Sequence, residues 1–173
     1  MHKDFAMRST ALALVACMLT GPALAEEPAG CDKFKWPIET ERSLLTGKAI
    51  ANVASGANVA WALPVAANVT LVPFADAKLP AAPERTPKLA NSFAGYLQVA
   101  APAKVGTYKI TLSAEAWVDV VQDGRLVKSQ GFSGAPGCEG VRKSVKFPLQ
   151  AQPFTVQFSN VQGNAIAVAI SSD

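Results

Sequence analysis

From Val69 to its C-terminus the chain is a succession of short runs in which apolar and polar residues alternate, punctuated by Gly, Pro, Asn and Asp. A period of two belongs to a half-buried strand and cannot be laid over a helical stripe. Val69 and Leu71 fall on one face, Thr70 and Val72 on the other. Phe93, Gly95, Leu97 and Val99 alternate with Ala94, Tyr96 and Gln98, and Tyr108, Ile110 and Leu112 alternate with Lys109 and Thr111. The runs Trp117–Gln122 and Arg125–Gln130 flank Asp123-Gly124, which selects a two-residue type I′ hairpin because both central residues need φ > 0. With Gln122 opposite Arg125, Val121 faces Leu126, Val120 faces Val127, and Asp119 faces Lys128 as a predicted cross-strand ion pair. Ser144–Leu149, Phe154–Ser159 and Ala165–Ile170 complete the series. The Pro-rich stretch Lys78–Lys88 cannot continue a ladder and reads as an exposed loop. About eight strands joined by Gly and Pro connections predict an all-β fold, an antiparallel β-sandwich of jelly-roll type.

Before Asn68 the pattern weakens. Trp36–Leu45 predicts one short helix, with Pro37 in its first turn, Glu39 and Glu41 at the positive end and Gly47 as a stop. The Ala-, Asn- and Val-rich stretch after it supports weak strands at Ala49–Val53 and Asn58–Leu63. Residues 26–67 are therefore expected to form an N-terminal extension packed on a sandwich core of residues 68–173, the two making one domain.

Residues 1–25 read as an export signal. Lys3 and Arg8 supply a positive start, Ala11–Leu19 an apolar run, and Ala23-Leu24-Ala25 a small-x-small cleavage pattern. The alternative is a lipobox, Leu14-Val15-Ala16-Cys17, which would acylate Cys17 and tether the protein to a membrane. The apolar run is too short for a transmembrane segment, and no later stretch approaches the ~18 residues one needs. The expected location is periplasmic or secreted.

Two cysteines lie beyond this leader, Cys31 and Cys138, and a pair in an exported chain predicts one disulfide. On the chain-entropy model a loop of about 107 residues closed in this way is worth roughly 4 to 5 kcal/mol. The single histidine, His2, falls within the leader, so the remaining chain has no imidazole for metal binding or proton transfer. Lys and Arg exceed Asp and Glu by three with no concentrated basic stripe, which speaks against nucleic acid. No Gly-x-Ser-x-Gly elbow, P-loop or dinucleotide glycine pattern occurs, and neither cofactor nor metal is expected.

The segments Cys31-Asp-Lys-Phe-Lys-Trp36-Pro, Pro83-Glu-Arg-Thr-Pro-Lys88, Ser92-Phe-Ala-Gly-Tyr96, Ala116-Trp-Val-Asp-Val-Val-Gln-Asp-Gly124 and Cys138-Glu-Gly-Val-Arg-Lys-Ser-Val145 carry a resemblance. Across nearly all of the chain beyond the leader, it resembles small exported α-proteobacterial proteins of unassigned function, some of which bear the label homogentisate 1,2-dioxygenase. The second half, with Gly106-Thr-Tyr108 and then Trp117-x-Asp-Val, is also similar to β-sandwich domains at the C-termini of secreted peptidases. Neither resemblance brings a catalytic motif. A non-haem iron oxygenase holds Fe(II) with two histidines and a carboxylate, which this chain lacks after Ala25.

The remaining constellations are modest. Glu115, Trp117 and Asp119 share a strand face and suggest an aromatic platform between carboxylates. Residues four apart in a strand stand about 13 Å apart, beyond the ~5–9.5 Å of glycoside hydrolysis. Asp119 with Asp123-Gly124 lacks the dense oxygen ligands of a calcium loop. Arg142, Lys143 and Lys146 form a basic cluster that a strand would split, with Lys143 and Val145 on one face, Ser144 and Lys146 on the other. Lys35, Trp36 and Trp61 suggest an exposed aromatic patch, against the plainer reading that Trp36 anchors the N-terminal segment. The ligand-binding candidates are thus Trp36, Trp61, Tyr96, Arg142 and Lys143. The expected function is an exported, non-catalytic binding module for a glycan, a peptide or an envelope partner, and the alternative is an enzyme working with carboxylates. Trp36, Trp61 and Tyr96 in a row would favour glycan binding; three or more carboxylates round a concave pocket would favour the enzyme.

Overall fold

The computed structural model describes residues 27–60 and 64–173. The leader, with Cys17 and the cleavage site, and Trp61 lie outside the described residues. One helix, α1 (Glu39–Leu45), precedes the strands β1 (Ala51–Ala54), β2 (Asn58–Val59), β3 (Val65–Thr70), β4 (Val72–Pro73), β5 (Phe93–Val99) and β6 (Gly106–Leu112). They are followed by β7 (Trp117–Gln122), β8 (Arg125–Val127), β9 (Gly131–Gly134), β10 (Lys143–Leu149), β11 (Phe154–Val161) and β12 (Ala165–Ser172).

These strands form two sheets, ordered β1-β3-β12-β6-β10-β9 and β2-β5-β11-β7-β8, with β4 paired to β5. Without the edge strands β1, β2 and β9, the sheet β3-β12-β6-β10 faces β5-β11-β7-β8. This alternation of the chain between two sheets is the double Greek key of a jelly roll. The fold is an all-β sandwich. Its sheets are mixed, however, because β1 runs parallel to β3 and β2 parallel to β5. Parallel neighbours need a crossover. Here β2, in the opposite sheet, lies on the path from β1 to β3.

The alternating residues meet between the sheets. Val69, Leu97, Ile110, Leu112, Val120, Phe147, Val156, Phe158, Ile166 and Ile170 belong to one buried cluster. At the hairpin, Asp123 and Gly124 have φ of 52° and 70°, and the ladder pairs Gln122 with Arg125, Val121 with Leu126 and Val120 with Val127. That is the type I′ register, but it stops one pair before Asp119–Lys128. The Gln130 amide donates to the Lys146 carbonyl at 2.9 Å, so the chain has already crossed to the other sheet. Lys128 is exposed, and the expected Asp119–Lys128 ion pair does not form.

The N-terminal segment covers the outer face of the β6–β10 sheet. Cys31 and Cys138 form the predicted disulfide, beside a second apolar cluster of Ile38, Leu45, Val141 and Ala169. The helix begins at Glu39, later than Trp36–Pro37, because Trp36 is committed to the sheet. Its Nε1–H donates to Ser144 Oγ at 3.1 Å, and Lys146 Nζ stands 4.7 Å from the ring centroid. Glu41 is fully buried on the same face, 2.9 Å from Lys109 Nζ and accepting from Ser171 Oγ. No helix among the described residues is long and apolar enough to cross a membrane.

Candidate functional site

Sheet width creates the site. The sheet carrying β10 has an additional edge strand, β9, whereas β8 opposite it ends at Val127. The inward face of β9 is therefore left uncovered. Phe132 pairs in register with the core residue Val145, yet it is 61% exposed. Beside it, the edge of β7 from Trp117 to Asp119 has no partner strand on the β8 side among the described residues.

These two consequences bound a cleft of about 330 Å³, lined by Phe132, Gly134, Lys143 and Val145 on one wall and by Trp117, Val118 and Asp119 on the other. Glu84 and Arg85 enter from the Pro-rich loop, Glu115 and Arg142 from turns, and Glu27 from the N-terminal stretch. The loop is not a free excursion. The amide of Ala81 donates to Gln157 Oε1, Gln157 Nε2 donates to the Ala81 carbonyl, and the amides of Lys88 and Leu89 donate to Asn160 Oδ1. It lies on the outer face of β11, which carries Arg85 to the cleft.

Arg85 and Lys143 both stand over the Trp117 indole, at 4.7 and 4.8 Å from the ring centroid, a cation–π arrangement with two cations on one ring system. Trp117 Nε1 is buried and has no hydrogen-bond partner among the described residues. Lys143 Nζ donates to the Ala116 carbonyl at 2.8 Å and lies 3.5 Å from Glu115 Oε1. Burial lowers the Lys143 ammonium below its ordinary value, and Glu115 opposes that shift. Arg142 reaches Glu115 at 3.1 Å and Glu27 at 3.4 Å. Asp119 Oδ2 accepts from Gln157 Nε2 at 3.2 Å and from the Glu84 amide at 3.3 Å. Burial raises its carboxyl above the ordinary range against those two hydrogen bonds.

Of the sequence candidates, Arg142 and Lys143 line this cleft, and Lys146 lies on the opposite face of β10 as the alternation required. Trp36 and Tyr96 do not share a site. Trp36 packs outside the β10 sheet, whereas Tyr96 pairs with Gln157 on the outer face of the other sheet, so these two do not form the row that would have favoured glycan binding. Trp117 and Glu115 carried a weaker signal. Glu27, Arg85 and Phe132 were missed, although an aromatic in the polar run Ser129-Gln-Gly-Phe-Ser-Gly134 is an odd strand residue unless its face is open.

Four carboxylates line the cleft, which meets the condition that favours the enzyme reading, although Glu27 and Glu115 are tied to cations and Asp119 to a loop amide. No group of three or more His, Cys, Asp or Glu among the described residues could hold a metal ion, and the two cysteines are bonded to each other. This donor set does not fit a non-haem iron centre. Comparison with family models, with curated proteins and with solved structures finds no match.

Proposed function

We propose that this protein is an exported, non-catalytic β-sandwich that binds a glycan, peptide or envelope partner in the cleft beside Trp117. One observation carries the reading: a concave, partly apolar site in which an indole, two cations above it and an uncovered phenyl ring face the space that β8 leaves. Sites of this composition orient a ligand through a few polar groups set in aromatic walls. The disulfide suits an oxidising compartment, and the leader-like first 25 residues support export.

A thermal-shift screen tests the reading. Acidic, basic and neutral extended peptides and neutral and uronate oligosaccharides should include a probe that raises the melting temperature of the wild type but not of Trp117→Ala. A stabilising probe that acts equally on both proteins, or the failure of every probe, overturns it.

The enzyme reading draws on the same cleft, through the buried carboxyl of Asp119. For the dioxygenase label the proposal gives a definite expectation: supplied with Fe(II) and ascorbate, the protein consumes no oxygen when homogentisate is added. Homogentisate-dependent oxygen uptake with stoichiometric retained iron would restore that label.

A further inference from the structure

Three acidic side chains reach the cleft from outside the strands, Glu27, Glu84 and Glu115, and Glu27 alone comes from the N-terminal stretch. Glu27 lies on the exposed stretch that precedes the first anchors of the N-terminal segment, which are the Gly30 amide bonded to the Pro136 carbonyl at 2.8 Å and the Cys31–Cys138 disulfide. Its one ionic partner among the described residues is Arg142, at 3.4 Å, and its side chain is largely exposed. Glu115 holds the same guanidinium more closely, at 3.1 Å, and is itself held by Lys143. Arg142 thus has one firmly built carboxylate partner and one that arrives on a short tether. An exposed ion pair of this kind is worth little, so the tethered partner exchanges readily.

A second feature shows what could replace it. In a two-residue hairpin the closing pair Gln122–Arg125 exchanges both backbone hydrogen bonds, and the pattern then alternates along the strand. Val120 and Val118 therefore direct their N–H and C=O groups toward β8. Val120 meets Val127 there, but no ladder pair follows for Val118, whose opposite number Ser129 lines the cleft instead. A free strand edge next to a side-chain pocket is the arrangement that accepts an extended peptide, with backbone hydrogen bonds supplying affinity and the pocket specificity.

Resting on the cleft reading above, we infer that the occupant is an acidic extended peptide segment of a partner protein, whose carboxylate takes the place of Glu27 on Arg142 while its backbone pairs with Val118. The N-terminal stretch is then an intramolecular competitor, and its own seat shows that a peptide-borne carboxylate fits. A glycan would meet the same guanidinium but has no use for the open edge.

The probes are acetyl-Thr-Val-Glu-Val-Thr-amide, its Gln counterpart and trigalacturonate, titrated by NMR into the wild type, Glu27→Gln and Arg142→Gln. Both substitutions replace partly exposed side chains. The Glu peptide should shift the Trp117 indole signal and bind Glu27→Gln about three-fold more tightly than the wild type, the equilibrium worth of an exposed ion pair. Binding should weaken about ten-fold in Arg142→Gln and for the Gln peptide. Equal affinity in wild type and Glu27→Gln, or equal binding of the Glu and Gln peptides, overturns the inference. Trigalacturonate shifting Trp117 while the peptide does not would overturn it too, yet would leave the cleft as a ligand site. No response to any probe also overturns it, and the broader thermal-shift screen then decides separately whether the cleft binds anything.

Discussion

Two tryptophans on opposite sides of one strand show how differently this chain uses the same residue types. Trp36, Lys146 and Ser144 meet on the outer face of β10; Trp117, Lys143 and Arg85 meet at its inward end. In the first group each polar atom has found a partner, since the indole donates to Ser144 and Lys146 lies 2.6 Å from Asp173. In the second the indole N–H has none, and a second cation crowds the ring. What separates them is cover. The N-terminal segment, fastened by a disulfide, closes the outer face, whereas β8 stops short and leaves the other open. The separation is not complete, since Glu41 Oε2 on the closed face is also buried without a partner among the described residues, but there the cover excludes a ligand, whereas the open face leaves its groups accessible.

The largest effect should come from unfastening the closed face. Replacing both Cys31 and Cys138 by Ser is expected to lower unfolding stability by about 4 kcal/mol in chemical denaturation. A loss below about 1 kcal/mol would mean that the segment holds its place without the bond. Next is Lys109→Met, which leaves the fully buried Glu41 carboxyl without its ion-pair partner, and should cost about 3 kcal/mol by the same measurement. The equivalent change in the cleft, Lys143→Met, removes an ammonium whose charge burial already disfavours and leaves the half-exposed Glu115 on Arg142, but strips the Ala116 carbonyl of its donor, so a smaller loss of about 1 to 2 kcal/mol is expected.

The indoles themselves sharpen the contrast. Trp36→Phe deletes a hydrogen bond and should cost about 1 kcal/mol, whereas Trp117→Phe deletes an unpartnered donor and should be neutral or slightly stabilising. A similar loss at both would erase the distinction.

The smallest effect is electrostatic. Asp119 has its folded-state pKa raised, so the folded state binds its proton more readily than the unfolded chain does. Its contribution therefore becomes more favourable as pH falls from above the raised value toward the ordinary 3.8, and is fully present below that. Asp119→Asn should remove this component and make stability fall more steeply on acidification through that window. Parallel pH curves for the two proteins would show that Asp119 carries no such shift.

Much of the fold was legible because the alternation of Phe93–Val99, Trp117–Gln122 and Phe154–Ser159 reports burial on one face directly, and Asp123-Gly124 fixes a register. The end of β8 was not. Arg125–Gln130 reads as one strand, and only the competing capture of Gln130 by Lys146 on β10 ends it at Val127. That single crossing costs the Asp119–Lys128 pair and opens the cleft. The parallel pairing of β1 with β3 and of β2 with β5 was likewise hidden, since a strand's own pattern does not state the direction of its neighbour. Arg142 and Lys143 could be found as a basic pair, but Glu27 and Arg85 reach them from 115 and 58 residues away along the chain, through a disulfide-anchored arm and a docked loop.

The most direct test of the account compares the two indoles in one experiment. The Trp36 and Trp117 N–H signals, assigned with Trp36→Phe and Trp117→Phe, are followed by NMR as the acidic pentapeptide and the probes of the thermal-shift screen are added. Binding is expected to move the Trp117 signal and leave that of Trp36 in place. Movement of Trp36 with Trp117 unchanged would contradict it, and would transfer the binding site to the face taken here as closed.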